Sequence, residues 1–329
     1  MPELTYAGAV NEALRRILTE DPKALVFGED VAAPGGVFGV TKGLQRSFGA
    51  RVFDTPISES AILGGAIGAA LFGMRPVVEI MWADFTLVAF DQLVNQAANI
   101  RYVSRGELTA PITVRMQQGS APGACAQHSQ SLEALFAHIP GLRVCMPATH
   151  QDAYDLLLTA AATADPTIVI ENRTLYHRDR QPVELGRPVQ PLGQAAVRRA
   201  GSALTVITWG AMQFQVLAAA ETLAARGIDI EVIDARWLRP LDMSAILASV
   251  AKTRRLAVVH EAHTTGGLGA EIIASVVSAG IMLDQPPIRI GTPDARIPAA
   301  PSLAAALIPD AARIVAAIER VFALVEVGS

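Results

Sequence analysis

Short, continuously apolar runs recur along this chain, and almost every one is followed by a segment with apolar residues at helical spacing. In the first half the runs are Ala24–Phe27, Arg51–Phe53, Arg75–Met81, Pro111–Met116, Leu142–Met146 and Thr167–Glu171. They lack the alternation of a strand with one wet face, so they predict strands covered on both sides. Between them lie the predicted helices Thr5–Glu20, Thr41–Phe48, Ala61–Ala70, Phe85–Tyr102, Leu132–His138 and His150–Ala164. That alternation restricts the chain to mostly parallel sheets with helices on both faces. The pattern lapses from Asn172 to Gly193, where Arg173, His177, Arg178, Asp179 and Arg180 cluster with Pro182, Pro188 and Pro191. It resumes with strands at Leu204–Thr208, Ile230–Asp234, Leu256–His260 and Pro287–Ile290. The helices predicted there are Ala211–Arg226, Met243–Lys252, Ala270–Ala279 and Ala311–Val325. The expected fold class is α/β with two domains, residues 1–190 (linker from about 172) and 191–329.

Composition narrows the function classes. The formal net charge is −4 and no basic run is present, which argues against a nucleic-acid partner. The longest apolar run, Ala61–Met74, is 14 residues, too short to span a bilayer, and the N-terminal stretch Met1–Arg16 has no uninterrupted apolar core of a signal peptide. Cys125 and Cys145 are the only cysteines, so no disulfide framework is expected. The expectation is a cytoplasmic protein without membrane segments.

One stretch carries chemistry: Asp54-Thr55-Pro56-Ile57-Ser58-Glu59-Ser60, which leads into Ala61-Ile62-Leu63-Gly64-Gly65-Ala66-Ile67-Gly68. Ser58 is a suitable N-cap, and a carboxylate near the first turn suits the helix dipole. Glu59 can thus be read as an ordinary helix-start acid, or as a buried carboxylate aimed at a cofactor. The glycines favour the second reading. Each costs about 1 kcal/mol against alanine in a helix, so three of them suggest a close approach by another backbone or a ring. His260-Glu261-Ala262-His263, followed by Thr264-Thr265-Gly266-Gly267-Leu268-Gly269, offers less. Its histidines are not at i, i+4 and the glycines lack dinucleotide-fold spacing, so it is read as a strand-to-helix loop.

Together with Gly28-Glu29-Asp30, Phe90-Asp91-Gln92, Ala126-Gln127-His128-Ser129-Gln130, His138-Ile139-Pro140-Gly141-Leu142 and Arg236-Trp237-Leu238-Arg239-Pro240-Leu241-Asp242, this stretch identifies a family. The chain resembles, over nearly its whole length, the β subunit of the thiamine-diphosphate-dependent E1 component of 2-oxo acid dehydrogenase complexes. The resemblance implies a transketolase-like pyrimidine-binding domain followed by a transketolase C-terminal-type domain.

It further implies that Glu59 hydrogen-bonds N1′ of the cofactor's aminopyrimidine and shares a proton with it, which a carboxyl group held out of water can do near neutrality. Phe85 is implied to stack on the pyrimidine, with Met81 and Ile57 as apolar neighbours, each of which can also be plain core. Glu29 is implied in an acid network between cofactor sites, or is a turn acid. His128, in a loop of small residues, is implied to face the reactive end as proton donor or to orient the acyl acceptor. His138, His150 and His177 are read as structural. A monovalent cation, potassium, is implied at backbone carbonyls near Ile112, Ala160, Thr163 and Asp165.

The family's α chain carries Gly-Asp-Gly and an Asn pair for the magnesium–diphosphate site. This sequence contains neither, so no Mg²⁺ site is expected in it. The implied partners are an E1 α subunit in an α2β2 heterotetramer, a lipoyl-bearing E2 acyltransferase and a 2-oxo acid. An acetoin-dehydrogenase-type β subunit and a non-catalytic assembly subunit are the alternatives. Phe27–Ala32, Gly35–Phe38, Ala83–Phe85 and His260–Ala262 look closer to branched-chain than to pyruvate types, whereas Met116–Pro122 departs from both.

Overall fold

The computed structural model describes residues 1–326, with side chains through residue 323. The chain divides into two compact units. The first is Met1–Gly119, Leu135–Leu192 and Leu238–Pro240; the second is Ser120–Ala134, Gly193–Trp237 and Leu241–Ser329.

The first unit is built on a seven-stranded sheet in the order Trp237–Arg239, Arg143–Cys145, Thr167–Asn172, Thr113–Gln118, Arg75–Ile80, Ala24–Gly28, Val52–Asp54. The last six of these strands run parallel. The side chains of Arg75–Ile80, Thr113–Gln118 and Thr167–Asn172 are buried almost throughout, as continuous apolar runs require. Gly28 is fixed by crowding: a Cβ there would stand 2.4 Å from the carbonyl oxygen of Glu79 on the next strand. The Tyr6–Glu20 helix is capped by Thr5, whose hydroxyl accepts from Gly8 N–H at 3.1 Å, and packs with His150–Ala162. Thr149 and Asp152 close a capping box on the latter.

Two local expectations fail. Ser58 does not cap the Glu59–Leu71 helix with its side chain; its ψ of 85°, against 163° at the capping Thr5, belongs to a different backbone conformation. Nor is Phe85–Tyr102 one helix. It is a 3₁₀ segment, Ala83–Ala89, entered through Trp82 at φ 74°, then a π-helical turn, Gln92–Ala97, then a short α-turn, Ile100–Val103. Asn99 donates to the carbonyls of Val94 and Asn95, local bonds that compete with a regular ladder.

In the second unit, Leu256–His263, Leu204–Thr208 and Ile230–Asp234 form a parallel core flanked by Ile288–Thr292 and by an antiparallel edge strand, Ala196–Arg199. Pro301–Ala323 is long and apolar enough, by length and composition, to cross a membrane. It is, however, two helices, Pro301–Leu307 and Ala311–Glu326, and Ile314 and Ile318 of the second lie fully buried in this unit's core.

Candidate functional site

Parallel strands deliver their loops to one end of a sheet, and the carboxyl ends are where ligands bind in such folds. In the first unit Gly28 is the register partner of both Asp54 and Glu79. The residues that follow these strands therefore leave from the same end: Glu29 after the first, Thr55 to Glu59 after the second, Met81 to Phe85 after the third. Thr55 N–H donates to the carbonyl of Gly28 at 2.9 Å and ties two of these exits together.

At that end Glu59 starts its helix with only 8% of its surface exposed, while Ile57 is 83% exposed. Met81, Phe85 and Glu29 are half-buried. The Thr55 hydroxyl is buried and has no hydrogen-bond partner among the described residues. Burial first, then the charge of Glu59, then that of Asp30, push the Glu29 carboxyl above its ordinary value. Glu29 thus senses the charge of Glu59 although 30 residues separate them in the chain. At this end a buried carboxyl and a buried, unpartnered hydroxyl suit a heterocycle with a basic ring nitrogen.

His128 belongs to the second unit, in a single 3₁₀ turn, Ala126–His128, where it is half-buried. Its loop is anchored there by Ser120 N–H to Glu261 (2.7 Å), Arg296 to Gln130 (2.7 Å) and Gly123 N–H to Ala299 O (3.3 Å).

Beneath the first unit's site lies a charged group that sequence reading passed over. Arg115, with its side chain 1% exposed, donates to Glu79 (2.6 Å) and to both oxygens of Glu171 (2.7 and 2.8 Å), and Tyr176 adds a 2.5 Å bond to Glu171. Gln117 donates to Glu79 at 3.0 Å and accepts from Trp82 N–H at 3.3 Å, linking this group to the segment that carries Met81 and Phe85. The available signal was one charge inside each of three apolar runs: Glu79, Arg115 and Glu171.

The glycine face of the Glu59–Leu71 helix does not pack on the chain's own sheet. Ile62, Leu63, Ala66, Ile67 and Ala70 do the burying. A Cβ at Gly65 or Gly68 would meet nothing within 4 Å, and one at Gly64 only the Gln92 side chain at 3.9 Å. Phe72, just past the helix, is 93% exposed.

The carbonyls expected to hold a monovalent cation lie at the opposite, amino end of the strands, and each already has a protein donor. Thr167 N–H meets Ile112 O (3.0 Å), Thr163 N–H meets Ala160 O (3.2 Å), the Thr163 hydroxyl meets Asp165 O (2.9 Å), and Arg75 meets Thr163 O (2.9 Å). These residues do not fit a bound cation. Among the described residues no cluster of three or more His, Cys, Asp or Glu side chains could hold a metal. A groove of about 1280 Å³ in the first unit, lined in part by Tyr102, Pro140, Arg143 and Arg239, includes none of Glu29, Ile57, Glu59, Met81 or Phe85.

Comparison with known proteins matches residues 2–178 to the pyrimidine-binding domain of transketolase and 193–314 to the transketolase C-terminal domain. The β subunit of acetoin:2,6-dichlorophenolindophenol oxidoreductase from Cupriavidus necator is 43% identical, with 97% of each chain covered. The pyruvate dehydrogenase E1 β subunit of Bacillus subtilis is 42% identical over 91% of this chain and 92% of that one. Among solved structures, a split-gene transketolase, described as an inactive β4 tetramer, superposes with a TM-score of 0.79 over 98% of this chain and 99% of its own; at 24% identity it speaks for the fold alone.

Proposed function

This chain belongs to the family of transketolase-type E1 β subunits of thiamine-diphosphate-dependent dehydrogenase complexes, and we propose that it supplies the pyrimidine-binding half of an active site completed by an α subunit. The observation that carries this reading is the convergence of buried Glu59, coupled Glu29 and the apolar residues Ile57, Met81 and Phe85 at one carboxyl end of the sheet.

Thiamine diphosphate, when bound, supplies the nucleophilic carbon and the electron sink for cleaving the bond beside a carbonyl. In our reading Glu59 holds a proton at N1′ of the pyrimidine. Phe85, Met81 and Ile57 would hold the ring, and Glu29 would join Glu59 in one acid network. His128 donates a proton to the substrate or orients the acyl acceptor. Mg²⁺ and the diphosphate would be held by the α subunit of an α2β2 heterotetramer, with a lipoyl arm of E2 as the acyl acceptor. The open glycine face of the Glu59–Leu71 helix supports close docking of another chain.

Relatives named for acetoin and for pyruvate are almost equally similar, so the assay must include both substrate classes. The test is turnover by the co-expressed α/β pair with thiamine diphosphate, Mg²⁺ and a panel of 2-oxo acids plus acetoin. Activity is expected in the pair, none in this chain alone, and none in an assembled pair carrying Glu59→Ala. Turnover by the isolated chain contradicts the shared site; full activity in Glu59→Ala contradicts the assignment of Glu59.

A further inference from the structure

We propose that an internal cation, the Arg75 guanidinium, backed by the hydroxyls of Thr163 and Thr167, stands where the family resemblance implies a potassium ion. The inference is independent of any role for Glu59.

Every polar group in the cluster can be assigned a proton. Arg75 Nη2 donates to Ala161 O at 2.5 Å and to Thr163 O at 2.9 Å. The Thr163 hydroxyl oxygen lies 2.9 Å from Ala160 O, from Asp165 O and from the Thr167 hydroxyl. One arrangement satisfies all of them: Thr167 O–H donates to Thr163 Oγ1, Thr163 O–H donates to Asp165 O, and Ala160 O accepts from Thr163 N–H at 3.2 Å. Ile112 O takes Thr167 N–H at 3.0 Å. The carbonyls of buried Ile112 and Ala160, and of half-buried Ala161, Thr163 and Asp165, each have a protein donor without an ion.

Space and charge agree. An ion placed between Ala160 O and Asp165 O would have to displace the Thr163 hydroxyl. It would also enter a cluster in which Arg75 pairs with Asp21 (3.5 Å), and Arg101 and Arg143 both bind Asp165 (2.5 Å each), three guanidinium groups against two carboxylates. Arginine suits the task because its charge does not titrate and its planar fork can serve two acceptors at once.

The test is thermal unfolding of the α/β complex in KCl, NaCl and choline chloride at equal ionic strength. A bound ion stabilises in proportion to the logarithm of one plus its concentration over Kd, so a K⁺ site at about 100 times its Kd raises Tm by several degrees. The expected result is the same Tm in all three salts; a rise specific to KCl overturns the proposal. A second readout needs no variant: crystals soaked in Tl⁺ should show no anomalous peak within ligand distance of Ala160 O and Asp165 O, and a peak there overturns it. Arg75→Met and the milder Arg75→Lys should each lower Tm equally in all salts. Wild-type melting in both variants would remove Arg75 from the role.

Discussion

Glu29 and Glu59 leave different parallel strands at the same end of one sheet, and Glu59 helps hold the Glu29 carboxyl above its ordinary value. Glu29 thus binds its proton more tightly in the folded chain than in the unfolded one. The stability this confers is fully present below the ordinary carboxylate range and is lost as pH rises through the raised folded value.

Glu59→Gln removes the like charge and leaves burial as the main remaining cause. Glu29 should then titrate at lower pH than in the wild type, though still above an exposed glutamate. Carboxyl ¹³C NMR of the two proteins reads this directly, and an unchanged Glu29 midpoint would mean the pair does not interact.

Arg115→Met strands two buried carboxylates, Glu79 and Glu171. Breaking a buried ion pair from one side costs about 3–5 kcal/mol, so the variant should unfold at markedly lower denaturant. A loss under about 1 kcal/mol, the scale of exposed pairs, would show that water reaches the group.

A Cβ at Gly68 meets nothing within 4 Å and one at Gly64 only the Gln92 side chain at 3.9 Å, so Gly64→Leu and Gly68→Leu replace a poor helix former with a good one on an open face. Each variant should fold alone with unchanged or slightly higher Tm, yet fail to assemble with the α subunit in size-exclusion chromatography. Normal assembly removes this face from any close interface.

Phe85→Leu keeps apolar bulk and loses the ring. The stacking term of about 0.5–1.5 kcal/mol predicts a rise of roughly 2–10-fold in the Kd of thiamine diphosphate, measured by calorimetry on the Mg²⁺-loaded complex. Equal affinity would place Phe85 among ordinary packing residues.

The strand runs could be read from sequence because strands buried on both faces must be apolar throughout, and Val77, Val114 and Ile168 obey that rule. Ala196–Arg199 escaped notice because it is a polar edge strand. The break of Phe85–Tyr102 depends on Asn99 bonding its own backbone and on the φ of Trp82, neither of which alters apolar periodicity. Glu59 stood out through its neighbours in the chain. Arg115 and Arg75 did not, since their partners, Glu79 and Glu171 for one, Ala161 O and Thr163 O for the other, are brought near only by strand pairing and helix docking. The anchoring of the Ser120–Ala134 loop on Glu261 and Ala299 is equally non-local.

The role proposed for Glu59 is to hold a proton at the pyrimidine ring. Hydrogen–deuterium exchange at C2 of bound thiamine diphosphate, measured in the α/β complex by rapid acid quench and NMR, reports that step directly. Glu59→Gln should retain assembly and slow the exchange by roughly 10²–10⁴-fold, the range of a lost acid–base group, because an amide cannot share a proton as a carboxyl group does. Exchange at the wild-type rate in an assembled Glu59→Gln complex would contradict that role.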